Sequence, residues 1–257
     1  MEEKRLVRAE VEGHVAVVTL DNPPANAWNL AMAQEFEGVF DRLEKDPEVR
    51  VVVITGGEAK CFSAGMDVSD AKNQPITSPK VRALWTRVDK SEKLVICAIN
   101  GHALGGGLEL ALCCHFRVMA DNPKAALGLT ELNLGIIPGW GGTQRLARVV
   151  GRAMALDMII FSKRLSAQEA LEAGLVDRVV ERESFMSEVM SMARTLAERP
   201  PVAVRCVLKA MAAGVYQGLE AGLRTEAEGT LVVRETEDRR EGFAAFKQKR
   251  KPKFMGR

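Results

Sequence analysis

Apolar and polar positions alternate along "KRLVRAEVEG" (4–13), and "HVAVVTL" (14–20) follows Gly13, so the chain is predicted to open with a β-hairpin. "DNPPANAW" (21–28) is rich in turn residues, and Asn29 is placed to cap a helix over 30–46. "VRVVVITG" (49–56) is apolar almost without interruption, the pattern of a strand covered on both faces. "GEAKCFSAGMD" (57–67) reads as a loop, and the polar stretch after it, with Pro75 and Pro79, reads as mobile. A helix is predicted over 80–93 and a second buried strand over 94–100.

The order then repeats: a glycine-rich turn, a helix over 106–114, strands at 116–120 and 126–129, a turn, and a helix from Gly141-Gly142. Ser166 and Glu169 form a capping box, and Gly174 ends that helix before another strand. Beyond about Glu183 no strand pattern remains, and helical patterns interrupted by Pro200-Pro201 run to the end. Two β-rich segments for each helix argue against a doubly wound sheet. The reading is an α/β core over 1–195 followed by an all-helical region over 196–257.

With 257 residues, 47% hydrophobic and 27% charged, the chain can bury a large core and is too apolar for disorder. A net charge of +2 creates no global field for nucleic acid. Five scattered cysteines (Cys61, Cys97, Cys113, Cys114, Cys206) read as reduced thiols. The N-terminus has no apolar leader pattern, Glu2 and Glu3 argue against a transit peptide, and no segment approaches the ~18 apolar residues of a membrane span. A cytoplasmic protein without a membrane partner is expected.

"CAINGHALGGGLELALCC" (97–114) carries one carboxylate, Glu109, among small and apolar residues. An unpaired buried carboxylate is costly, so Glu109 is neutralised, paired or kept for chemistry. Three glycines at 105–107 allow close backbone approach where the helix starts, and its free N–H groups favour negative charge. Glu109 lies three residues after Gly106, on nearly the same face. Either a donor and a carboxylate converge on one spot, or the glycines only pack helix on strand and Glu109 pairs with a distant arginine.

Glu131 sits in "GLTELNLGIIPGWGGTQRLARVVG", also in apolar company. Alone it also reads as a strand-end charge in solvent; together the two carboxylates suit acid and base roles. No phosphate loop is present, "GWGGTQ" lacks the third glycine of a dinucleotide fingerprint, and the three histidines have no metal spacing. Ser63 lacks a nucleophile-elbow setting, so no metal and no prosthetic group is expected.

"NGHALGGGLELAL" and "TELNLGIIPGWGGTQRL", with "CFSAGMD" upstream and "LSAQEALEAGLVDRVV" downstream, resemble the enoyl-CoA hydratase branch of the crotonase superfamily across essentially the whole chain. The resemblance implies a spiral of ββα turns with a C-terminal helical trimerisation region, assembled as a homotrimer or a homohexamer (a dimer of trimers). It implies an oxyanion hole from the N–H groups of Met66 and Gly106, with Glu109 and Glu131 as catalytic glutamates and Gly139 touching the reacting water. Ala64, Gly65 and Asp67 would border the coenzyme A carried by an acyl-CoA substrate.

The implied reaction is syn addition of water to a trans-2-enoyl-CoA, giving a 3-hydroxyacyl-CoA. An isomerase or a specialised CoA hydratase or lyase is the alternative, and a minor one is an RNA-binding relative, suggested by the basic tail "FKQKRKPKF". Met66 and His115 depart from the family pattern, where a smaller residue and an aspartate are common. Trp28 and Trp140 are bulky near the expected substrate entrance; each is either core packing or an acyl-chain selector.

Overall fold

The computed structural model describes residues 5–57 and 59–257. The start of the predicted first strand at Lys4, the pair Glu2-Glu3, and Glu58 in the 57–67 loop lie outside the described residues. The hairpin is β1 (Val7–Glu12) and β2 (Val15–Leu20), paired Val7 to Leu20. Parallel strands β3 (Val51–Thr55), β5 (Leu94–Ile99), β7 (Phe116–Asp121) and β9 (Arg178–Glu181) extend it, giving the order β1-β2-β3-β5-β7-β9. A smaller parallel sheet is built from β4 (Cys61–Ser63), β6 (His102–Leu104) and β8 (Leu127–Gly128).

Each turn of chain gives one strand to the large sheet, the next to the small sheet, and then a helix. β3 and β4 precede α2 (Gln74–Asp89), β5 and β6 precede α3 (Gly106–Ala111), and β7 and β8 precede α4 (Gly142–Ile160). This is the spiral of ββα turns. Strand β3 is buried throughout, and apolar up to Thr55, because it is covered twice. Val52 and Ile54 join the inner core with Trp28, Phe36 and Trp85, whereas Val51 and Val53 meet Phe185, Val189 and Ala193 of α6 (Phe185–Ala197).

Asn29 caps α1 (Leu30–Lys45), its side chain accepting from Met32 N–H. Ser166 and Glu169 form the predicted box at α5 (Ala167–Glu172). The C-terminal region is α7 (Pro201–Gln217), α8 (Leu219–Arg234) and α9 (Glu237–Lys247).

Three local readings are corrected. Residues 61–63 and 102–104 are strands, not loop and turn. The stretch around Pro75 and Pro79 is ordered into a short 3-10 helix (Val68–Asn73) and the first turns of α2, which begins six residues earlier than its pattern suggested. Its polar residues are used locally: Asp67 caps the short helix, and Asp70 accepts from Leu30 N–H and Asn73. Pro75 occupies the first turn, where its missing N–H has no cost, and Pro79 forgoes one helical bond close to the helix start.

Strand β4 is anchored by Asn26, fully buried and at φ 49°. Its Oδ1 accepts from Asn22 N–H at 2.9 Å, and its Nδ2 donates to the carbonyls of Cys61 and Phe62, each at 3.1 Å. Asn26→Ala strands those buried carbonyls and strains a left-handed backbone that asparagine tolerates. The expected loss is about 2–4 kcal/mol, read as a lowered urea midpoint at fixed protein concentration. An unchanged midpoint contradicts the anchoring role.

Candidate active site

The glycines of the 97–114 segment are contact points. Gly107 lies so close to the Ser63 carbonyl that any Cβ would overlap it, and Gly101 is equally tight against Lys60. Gly65, at φ +87°, would place a Cβ 2.7 Å from the Gly106 nitrogen, so the peptides before Met66 and before Gly106 lie side by side. Trp28 bridges this loop in parallel fashion: its N–H donates to Gly65 and its carbonyl accepts from Asp67 N–H. Met66's own N–H is thereby turned to the opposite edge. Among the described residues neither Met66 N–H nor Gly106 N–H has a hydrogen-bond acceptor. Both residues line a cavity of about 210 Å³.

Glu109 reaches that cavity from α3 and is 2% exposed. Its Oε1 accepts from Trp140 N–H at 2.8 Å and from Gly142 N–H at 2.7 Å. Oε2 accepts no bond from the described residues and is not sealed off. Burial pushes the carboxyl above its usual range, opposed by those two N–H donors and by Arg145 and Arg82. The pairing expected from the sequence is therefore with backbone donors, and the arginines act at a distance.

Glu131 opens a short 3-10 helix (Glu131–Leu134) after β8. Its Oε1 lies 3.0 Å from where a Cβ would stand on Gly105. Its Oε2 is buried without a hydrogen-bond partner among the described residues. Burial, and then the neighbouring Glu109 charge, push this carboxyl up to about 7. Two carboxyls thus face one small cavity, one held by N–H donors and the other bare.

Gly139 lies on the cavity wall, its carbonyl accepting from Arg82 Nε at 2.9 Å. Ala64 is exposed on the same wall, Gly65 is buried behind it, and the Asp67 carboxylate is occupied by Ser69 N–H and hydroxyl. Sequence reasoning missed Gln74, Ser78 and Thr130, which also line the cavity, and Ile136 and Ile137 at its rim. Gln74 and Ser78 lie in the stretch read as mobile, which hid them. It also missed Arg145, whose only signal was its place after Gly141-Gly142, and Arg82, which lies inside the predicted 80–93 helix with no local signal.

Among the departures, Trp28 is fully buried and edge-on to Trp85, ring centroids 4.6 Å apart, so it is core. Trp140 does both jobs, packing edge-on to Trp85 at 6.2 Å and walling the cavity against Gly106. Met66 is half-buried against the inner core. His115 Nδ1 accepts from Val95 N–H at 2.9 Å, and burial lowers its pKa to about 4, so the ring is neutral around pH 7.

The family model described as enoyl-CoA hydratase/isomerase matches residues 10–257. The chain is 40% identical to a probable enoyl-CoA hydratase of Bacillus subtilis, covering 96% of this chain and 97% of that protein. It is also 40% identical to a short-chain-enoyl-CoA hydratase of Clostridium acetobutylicum, over 94% of each. The crystal structure of an enoyl-CoA hydratase from Bacillus anthracis superposes with a TM-score of 0.93 at 37% identity, covering 98% of this chain and all of that one.

A methyl group on Gly106 would overlap the six-membered ring of Trp140. Gly106→Ala is expected to displace that ring, cost about 1–3 kcal/mol and alter tryptophan fluorescence. In a Trp140→Ala background, which itself loses that packing, Gly106→Ala should cost little more. A Gly106→Ala protein with unchanged stability and fluorescence contradicts the close packing.

Proposed function

The chain belongs to the enoyl-CoA hydratase/isomerase family, and from that premise we propose that it hydrates trans-2-enoyl-CoA thioesters. One observation carries the reading: two carboxyls, one held by two N–H donors and the other with an oxygen that has no partner among the described residues, line one cavity beside two unpartnered N–H groups. The thioester oxygen accepts from Met66 and Gly106 N–H. Glu109 Oε2 and the backbone at Gly139 hold the water. As the water oxygen bonds to C3, the C2–C3 π electrons move towards the thioester oxygen, and Glu109 takes the water proton. Protonated Glu131 delivers its proton to C2, collapsing the enolate to the 3-hydroxyacyl-CoA. The proton lost by Glu131 is matched by the one gained by Glu109, and solvent exchange resets the pair.

Ala64, Gly65 and Asp67 are assigned to the border of the coenzyme A site, with no prosthetic group in the scheme. The division into a 1–195 core and a 196–257 oligomerisation region is retained. Its support is a row of exposed apolar residues on the C-terminal helices, among them Met211, Leu219, Leu231 and Phe246. A homotrimer or a homohexamer would cover them. No helix among the described residues is long and apolar enough to cross a membrane, and the cytoplasm is the proposed compartment. Two of the five cations of the basic tail are paired with carboxylates, Arg250 with Glu241 and Lys251 with Glu198.

Loss of enoyl absorbance with crotonyl-CoA tests the assignment. Glu109→Gln should reduce hydration by ~10²–10⁴ while retaining some α-proton exchange on a saturated acyl-CoA in D₂O; Glu131→Gln should lose both. Double-bond migration without water addition would assign an isomerase instead.

Hydration needs Glu109 ionised and Glu131 protonated. kcat/KM should therefore fall as pH rises through about 7 and fall again in acid as Glu109 takes a proton. The alkaline limb should vanish in the residual activity of Glu131→Gln. A profile flat from acid to alkaline pH contradicts the paired roles.

A further inference from the structure

The two N–H groups that hold Glu109 belong to a turn that is itself held from behind. The Gly139 carbonyl accepts from Arg82 Nε at 2.9 Å, and the Trp140 carbonyl accepts from Arg145 Nη1 at 3.1 Å. A peptide is planar, so fixing the Gly139 carbonyl fixes the direction of the Trp140 N–H that donates to Glu109. Fixing the Trp140 carbonyl fixes the next peptide, which leads to Gly142.

Arg145 is almost enclosed, its side chain 11% exposed, and each of its three nitrogens makes a hydrogen bond. Nε donates to Asp89 Oδ2 at 2.7 Å, and Nη2 donates to the Tyr216 hydroxyl at 3.1 Å. That hydroxyl donates in turn to Asp89 Oδ2 at 2.5 Å. Asp89 and Arg145 belong to the ββα core, whereas Tyr216 lies in the last turn of α7, under the Lys90 ammonium at 4.0 Å. None of the three lines the cavity.

We infer that Tyr216 is a positioning residue for Glu109: its hydroxyl completes the partners of Arg145, which hold the turn that aims the base. The C-terminal helices are then part of the catalytic apparatus, because their docking on the core decides whether Arg145 keeps its three-way contact. The inference rests on the hydratase reading only in taking Glu109 as the group that activates water. A buried guanidinium that loses a partner reorients to find another, and here the reorientation moves the Trp140 carbonyl.

Tyr216→Phe removes the hydroxyl and keeps the ring. The expected result is a kcat for crotonyl-CoA hydration lowered on the order of ten-fold, with KM within about two-fold and the thermal midpoint little changed. The acid limb of the rate profile should move to higher pH. The charged and titratable groups acting on Glu109 are Arg82 on α2, Arg145 on α4, Cys113 two residues beyond α3, and Glu131, and of these Arg145 is the one the substitution loosens. Arg145→Lys, which keeps the charge but cannot span Asp89 and the Trp140 carbonyl together, should show the same kcat loss.

In a Glu109→Gln background Tyr216→Phe should lower the residual rate less than two-fold, since there is no base left to aim. An unaltered kcat and acid limb in both single variants, or an equal loss in both backgrounds, would overturn the inference. A wild-type chain that hydrates no enoyl-CoA fails the functional reading instead.

Discussion

Two backbone N–H groups meet one oxygen of Glu109, and the rest of the site is arranged around that contact. A carboxylate taken out of water carries a penalty of several kcal/mol, and hydrogen bonds to a charged group return about 1.5–3 kcal/mol each. Glu131 Oε2, buried beside the same cavity, receives none. Each charge disfavours the other, and the donors favour keeping it on Glu109. Asymmetry between the glutamates is therefore a property of the backbone around them, not of the side chains.

The spiral explains how such a constellation is assembled from distant sequence. Strands β4, β6 and β8 stack in parallel, Cys61 against His102 and Ala103 against Leu127. The chain leaves each strand at the same edge of the small sheet. After β4 comes Met66, after β6 come Gly106 and Glu109, and after β8 comes Glu131. Each turn contributes one part at one edge. The glycines let the turns stack closely enough for backbone N–H groups, rather than long side chains, to point into the cavity.

How much of this was legible in the sequence depended on whether the signal was local. Alternation along the hairpin, the doubly covered run of β3, the Asn29 cap and the Ser166-Glu169 box are local and were readable. The strands at 61–63 and 102–104 were not. They are three residues long, too short for a period, and they exist because successive turns pair them. The proline-containing start of α2 was hidden for a related reason: Asp67 and Asp70 cap and tie that segment through contacts invisible in a local pattern. Glu109 and Glu131 stood out as lone carboxylates in apolar company. Arg82 and Arg145 looked like ordinary surface charges, and only the fold reveals the carbonyls they hold.

The central claim is that one proton is shared unequally, resting on Glu131 while Glu109 is ionised. Infrared difference spectroscopy of the substrate-free protein, titrated through neutral pH, reads protonated carboxyls directly. The account predicts a buried carboxylic acid band that titrates near 7, survives in Glu109→Gln and is absent from Glu131→Gln. A band that instead disappears with Glu109→Gln and persists in Glu131→Gln would contradict it.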